Sequence, residues 1–188
     1  MAIQINGNGT ITGISVGGLP DGIVDTDMIA SNAVTPAKST ISGGVVQTQQ
    51  LQLSSPSIIS STNTTWVDTG LTDTITPTSA SNKILVIVII NTFIDSVPQY
   101  GSSGQLRITR DNGSATTELT TFRYSSWDDV ATDLSTMMYW DTTHNSTSQL
   151  TYNTQFRLES YYQGSASVSV HRSGSPNIPN ISLIEFAV

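Results

Sequence analysis

Cysteine is absent from this 188-residue chain. That excludes disulfides, Cys-ligated zinc, Cys-ligated iron–sulfur clusters and thiol nucleophiles. Charge is scarce: charged residues make up 11% of the chain, against roughly 25% in an ordinary soluble domain. The net charge of −7 opposes a sequence-independent grip on phosphates, so nucleic acid is not an expected partner. Long apolar runs are missing too. The longest aliphatic stretch, Ile84 to Ile90, falls far short of the roughly 20 residues that a helix needs to cross a bilayer. The opening Met1-Ala2-Ile3-Gln4-Ile5-Asn6 has no cationic start and no long apolar core, so neither a signal peptide nor membrane insertion is expected. Hydroxyl groups fill the composition instead, with 27 Ser and 27 Thr.

Aromatic residues are missing from one part of the chain. All thirteen lie at or after Trp66, while eight of the fourteen glycines lie at or before Gly44. A segment without large rings and broken by Gly does not readily offset the entropy of ordering its own backbone. Aliphatic groups nevertheless recur in it, among them Ile23, Val24, Met28, Ile29 and Val34. A small segment without its own core buries such groups by oligomerising. The sequence therefore predicts an extended arm over residues 1–44, with these five residues packed between chains. Val24-Asp25-Thr26-Asp27-Met28 and Val34-Thr35-Pro36-Ala37-Lys38 form a two-copy repeat ten residues apart. Gly7-Asn8-Gly9 and Leu19-Pro20-Asp21-Gly22 read as turns between short strands.

Residues 45–188 read as an antiparallel β-sandwich, jelly-roll-like, with strands separated by turn residues. Candidate strands are Val46 to Leu53, Trp66-Val67, Asp73 to Thr76, Ile84 to Ile90, Leu106 to Thr109, Thr116 to Tyr124, Thr136 to Trp140, Leu150 to Tyr161, Ser167 to His171 and Ile181 to Val188. The unbroken run Ile84 to Ile90 suits a strand buried on both faces. Asp111-Asn112-Gly113 predicts a hairpin with a type I′ turn. No stretch carries sustained helical periodicity.

The chemistry available to such a chain is thin: two His, three Glu, eleven Asp and no Cys. His144 lies in a polar loop, and His171 ends a strand on the face of Ser167 and Ser169; no helical metal pair exists. Gly13-Ile14-Ser15-Val16-Gly17 matches a nucleophile elbow, but Gly18-Leu19-Pro20 breaks the helix that an elbow requires. Asp128, Asp129 and Asp133 form the densest acidic cluster, without the spacing of a calcium loop. Gly7-Asn8-Gly9 lacks the third glycine and the helix of a dinucleotide fingerprint. No pair of carboxylates is singled out for glycoside hydrolysis. The expectation is a non-enzymatic protein with no catalytic residues, no metal and no cofactor. Tyr124, Trp127, Tyr139 and Trp140 flank predicted loops, where rings beside amides and carboxylates suit stacking on a sugar. They are the candidate glycan contacts.

Thr65-Trp66-Val67-Asp68-Thr69-Gly70-Leu71, Thr74-Ile75-Thr76-Pro77 and Ser79-Ala80-Ser81-Asn82-Lys83-Ile84-Leu85-Val86 together resemble a block found in fibre proteins of tailed bacteriophages, notably cyanophages and other marine phages. Tyr152 to Phe156, Val168 to Ser173 and Ile181 to Phe186 are similar to the closing strands of the same domain, and residues 18–38 to short-repeat fibre shafts. The resemblance implies a homotrimeric virion structural protein. Its N-terminal arm would be anchored to other virion proteins and its sandwich displayed on the particle surface, as a short tail, neck or baseplate fibre. A capsid decoration or cement protein, and an adhesin that grips a host-surface glycan, are the alternatives it leaves open.

Overall fold

Ile84, Val86, Val88 and Ile90 recur at every second position, and an extended chain places such residues on one face. Partners for that face come from the rest of the chain, as a computed structural model shows. The structure describes residues 4–5, 11–12, 43–54, 57–95, 102–126, 130–161, 166–171 and 178–188. The chain divides into two units, Met1–Thr40 and Ile41–Val188. Among the described residues there are strands and turns and no helix.

In the first unit, β1 (Gln4–Ile5) and β2 (Ile11–Thr12) pair antiparallel, Ile5 opposite Ile11, on either side of Gly7-Asn8-Gly9. The arm residues expected to pack between chains, Ile23, Val24, Met28, Ile29 and Val34, lie outside the described residues.

The second unit is a sandwich of two antiparallel sheets. One has four strands in the order β5 (Val67–Ile75), β10 (Leu150–Tyr161), β7 (Ser102–Asp111), β8 (Thr116–Ser126). The other has six: β3 (Val45–Gln52), β12 (Asn180–Phe186), β6 (Lys83–Asp95), β11 (Ser167–Val170) and β4 (Ile59–Ser61) in that order, with β9 (Val130–Asp141) also on β6. β9 holds one edge of β6 from Ile84 to Asp95. The opposite edge is shared end to end, β12 covering Lys83 to Ile89 and β11 covering Thr92 to Asp95. β6 is thus the central strand, and its length lets one strand organise the sheet.

The inner faces meet in one core. Leu71, Leu106, Ile108, Leu150, Phe156 and Leu158 from the four-stranded sheet pack toward Ile84, Val86, Val88, Ile90, Ile181 and Leu183 from the six-stranded one. The core residues follow the two-residue period in β6, β10 and β12 alike.

Several local expectations are corrected. Trp66-Val67 and Asp73 to Thr76 are not separate strands: β5 runs through both, with a bulge between them. Gly70 takes φ +84° there, a conformation that costs glycine little. Thr69 and Leu71 both turn inward around it. The Asn112-Gly113 hairpin exists, but its loop has four residues, because Asp111 pairs with Thr116. Only Gly113 of that pair has positive φ, so the turn is not type I′. The Asn112 carboxamide oxygen accepts the N–H groups of Ser114 and Ala115 instead, at 3.0 and 2.9 Å. Ile84 to Ile90 is not buried on both faces. Its even positions are sealed, while Leu85, Ile87 and Ile89 are only half-buried. β4 was not expected, since Ile59-Ser60-Ser61 carries too little pattern to announce a strand.

Candidate functional site

The four candidate glycan aromatics do not form one surface. Tyr124 is a core residue, 8% exposed, so its ring is not offered to a sugar. It stands opposite Gly104 in the β7–β8 register, and the missing side chain at Gly104 makes room for its ring. Tyr139 is half-buried against the core opposite Val86, while Trp140, opposite Leu85, points to the other side of the sheet. Successive strand residues alternate faces, so this adjacent pair cannot line one site. Trp127 lies outside the described residues, as do Asp128 and Asp129 and the side chain of Asp133.

The outer faces of the two sheets differ in chemistry. That of the four-stranded sheet is a polar ladder. Asp68 accepts from Asn153 and Gln155, both at 2.7 Å. The Gln155 oxygen takes Arg107 in a fork at 2.8 and 2.6 Å, and Arg107 reaches Glu118 at 2.8 Å. One row of hydrogen bonds thus crosses all four strands. In a second row Arg157 forks onto Gln105, which donates to Glu159, and Glu159 pairs with Arg123. The guanidinium groups of Arg107 and Arg157 lie over the Trp66 ring, 4.2 and 4.3 Å from its centre. Three Arg stand among Asp68, Asp111, Glu118 and Glu159, so charges of both signs share this face.

The outer face of the six-stranded sheet has an apolar part among hydroxyl and amide groups. Leu85 of β6 lies between Trp140 of β9 and Ile184 of β12, and Ile87 lies beside Met138 in the next outward row. The Trp140 ring packs on Phe186 at 5.0 Å, tilted by 53°. Met138 is 66% exposed, Trp140 48% and Leu134 44%.

Several polar groups inside the sandwich are committed to one another. Arg110 donates to both carboxylate oxygens of Asp141, at 2.7 and 2.6 Å. Asp141 also receives the Tyr152 hydroxyl at 2.7 Å and the Thr143 N–H at 3.0 Å. Burial alone would raise the Asp141 pKa, but these donors outweigh it and hold the carboxyl below the usual carboxylate range. Burial raises the Tyr152 hydroxyl far above its ordinary value, and the neighbouring Asp141 charge adds to the rise. Glu185 is handled with neutral donors. Gln47 serves one oxygen; Thr78 and Asn82 serve the other. Against the opposing effect of burial, they keep its pKa low.

Both histidines belong to this interior. His144 is buried, not part of an open loop surface; its Nδ1 accepts the Ser146 N–H, which leaves Nε2–H to donate to the Asn82 carbonyl at 2.7 Å. His171 sits just past β11 at φ +62°. Its Nε2 meets the Thr69 carbonyl at 2.5 Å, and its buried Nδ1 has no partner among the described residues. These contacts join the bulge in one sheet to the strand end in the other. The hydroxyl-rich composition hid them, since nothing local marks which of 54 hydroxyl residues or two His turn inward.

No family model matches the chain, and no curated protein matches its sequence. Among solved structures it is similar to the VP2 subviral particle of infectious bursal disease virus, at 12% identity and a TM-score of 0.35, over 76% of this chain and 38% of that one. The structure of the Gt strain of the same virus is similar at 12% identity and a TM-score of 0.37, over 78% and 39%. Both are viral proteins, and the chain spans about two-fifths of their length.

Proposed function

We propose that this chain is a structural subunit of a virion: a short trimeric fibre of tail, neck or baseplate that displays a β-sandwich head. The observation that carries this reading is the division of the chain. A sandwich with its own core, within Ile41–Val188, follows a separate forty-residue unit that is aliphatic yet free of aromatic rings. A head that folds on its own contacts, joined to a segment whose Ile and Val need neighbours, is the organisation of an anchored appendage. The likeness of residues 65–86 and of the closing strands to phage fibre proteins supports the same reading. In this role the leading unit holds three copies together and attaches them to other virion proteins, and the chain performs no catalysis and needs no cofactor. Sedimentation of the full chain at micromolar concentration tests it. The expected mass is three times the 20.1 kDa of one chain; a clean single-chain mass overturns the reading.

Recognition of a host-surface glycan by the head is a second reading. It is favoured by the row of Asp68, Asn153 and Gln155 beside Trp66, which sets carboxylate and amide groups next to an indole. A glycan array probed with the full chain and with Trp66→Ala tests it, and equal signals from the two proteins reject this site.

A further inference from the structure

We propose that the outer face of the six-stranded sheet is a docking surface for further copies of this same chain, so that in the assembly the heads meet through it. The inference rests on the self-assembly reading above and adds where the heads touch.

The first argument is charge. Each copy carries a net −7, and like-charged copies repel unless the surfaces that meet are free of that charge. Among the described outward positions of β6, the charged ones are Lys83 and Asp95 at the two ends, with Leu85, Ile87 and Ile89 between. Their outward neighbours on β9 and β12, such as Met138, Trp140 and Ile184, are uncharged. A mildly acidic protein has thus kept its acidic groups off the middle of this face. On the opposite face of the sandwich, by contrast, charges are plentiful and of both signs, which suits contact with water.

The second argument is composition by position. The apolar centre is bordered by Thr48 and Gln50 of β3, whose register partners on β12 are Ile184 and Ser182. An uncharged apolar patch flanked on one side by hydroxyl and amide groups resembles the core and rim of a protein–protein contact. The β9 side of the face also holds an exposed Trp and an exposed Met, residue types enriched where proteins meet.

The third argument is area. Ten residue steps at about 3.3 Å along four strands about 4.8 Å apart give a face on the order of 600 Å². That is comparable with the roughly 800 Å² each partner contributes to a standard stable interface. In a three-copy assembly, a flat face of this kind turned toward the shared axis buries its centre against both neighbours at once.

The absence of cysteine makes the test direct. Met138→Cys places a single thiol on the apolar part of the face, at its β9 side, and Thr117→Cys places one on the exposed surface of β8 as a control. Each full-length variant is sedimented, then treated with a mild oxidant and, separately, with a maleimide. The expected result is an oligomer in which Met138→Cys forms interchain disulfides and reacts slowly with maleimide, while Thr117→Cys does neither. An oligomer in which the two thiols label equally fast and neither cross-links overturns the proposed face but leaves the fibre reading standing. A single-chain mass for the unmodified protein overturns both. Met138→Asp gives a second check: the tryptophan emission of the unmodified protein is expected to shift on assembly, and loss of that shift in the variant, with the far-ultraviolet circular dichroism of the sandwich unchanged, supports the face. An unaltered emission shift counts against it.

Discussion

Gly104 and Tyr124 are directly opposed on β7 and β8, and the Tyr124 ring occupies the space where a side chain at position 104 would lie. A Cβ built on Gly104 would fall among the ring atoms, 2.8 Å from Cε2 and nearer still to Cζ and the hydroxyl oxygen. This glycine is needed for close approach, not for unusual backbone angles. The exchange of one small and one very large residue lets Tyr124 fold inward and close the β8 end of the core.

Gly104→Ala is accordingly expected to push Tyr124 out of place and to destabilise the sandwich by about 1–3 kcal/mol, the usual cost of overpacking. Urea denaturation followed by tyrosine and tryptophan fluorescence measures it. Tyr124→Phe carries the opposite sign. Its hydroxyl is buried without a partner among the described residues, and burial drives its pKa well above that of a free tyrosine. Removing that oxygen is expected to raise stability by roughly 1 kcal/mol. A loss of stability in Tyr124→Phe would show that the hydroxyl is satisfied.

Asp141→Ala leaves Arg110 buried without its carboxylate, and the expected cost is about 3–5 kcal/mol. Tyr152→Phe removes a hydrogen bond to the same charge and should cost less, roughly 1.5–3 kcal/mol. The pair also sets an acid limit. The Asp141 pKa in the fold lies below its ordinary 3.8, so its stabilising contribution is complete above that value and fades as pH falls through the folded pKa. A denaturation series from pH 5 to pH 2 should show this slope in the natural chain and a weaker one in Asp141→Asn.

His171 works at milder pH. Burial depresses its pKa below the ordinary 6.5, and the Thr69 carbonyl only partly opposes the effect. The unfolded chain therefore takes up the proton first on acidification. Stability from keeping His171 neutral is complete above pH 6.5 and declines as pH drops below it. Melting temperatures between pH 7.5 and pH 5 should fall more steeply for the natural chain than for His171→Gln. Identical slopes would mean that the imidazole becomes charged without cost.

Trp66→Ala removes the ring that lies against the guanidinium groups of Arg107 and Arg157. Two partly exposed cation–ring contacts amount to about 1–2 kcal/mol. The loss should appear as a lower urea midpoint with an unchanged slope, because the ladder of Gln and Arg pairs beneath remains in place.

Much of the architecture is legible from neighbours in sequence. Leu150 to Tyr161 is recognised at its full length, since Leu150, Tyr152, Phe156 and Leu158 keep a two-residue period that Thr154 does not obscure. β6 is recognised by its β-branched run, but not its extension to Asp95, because Asn91 and Thr92 interrupt the apolar pattern while still pairing with β9. The Gly70 bulge that fuses two short candidates into β5 is not legible either; it depends on Thr154 of β10 lying opposite Thr69. Among the described candidate contacts, Tyr124 and Tyr139 look like Trp140 in sequence, yet of these three only Trp140 stands open.

From its residues alone, this chain is committed to β structure, to a ring-free leading part distinct from a ring-bearing remainder, and to chemistry without thiols. Those properties are local: they follow from composition and from a two-residue period within single strands. Which face of each strand meets the other sheet, which histidine and which tyrosine turn inward, and where an uncharged surface is left open are settled only in three dimensions. Strand order and register join residues far apart in the chain, 138 positions in the case of Gln47 and Glu185. Side-chain alternation says that a strand has two faces, but only the packed partner decides which of them water sees.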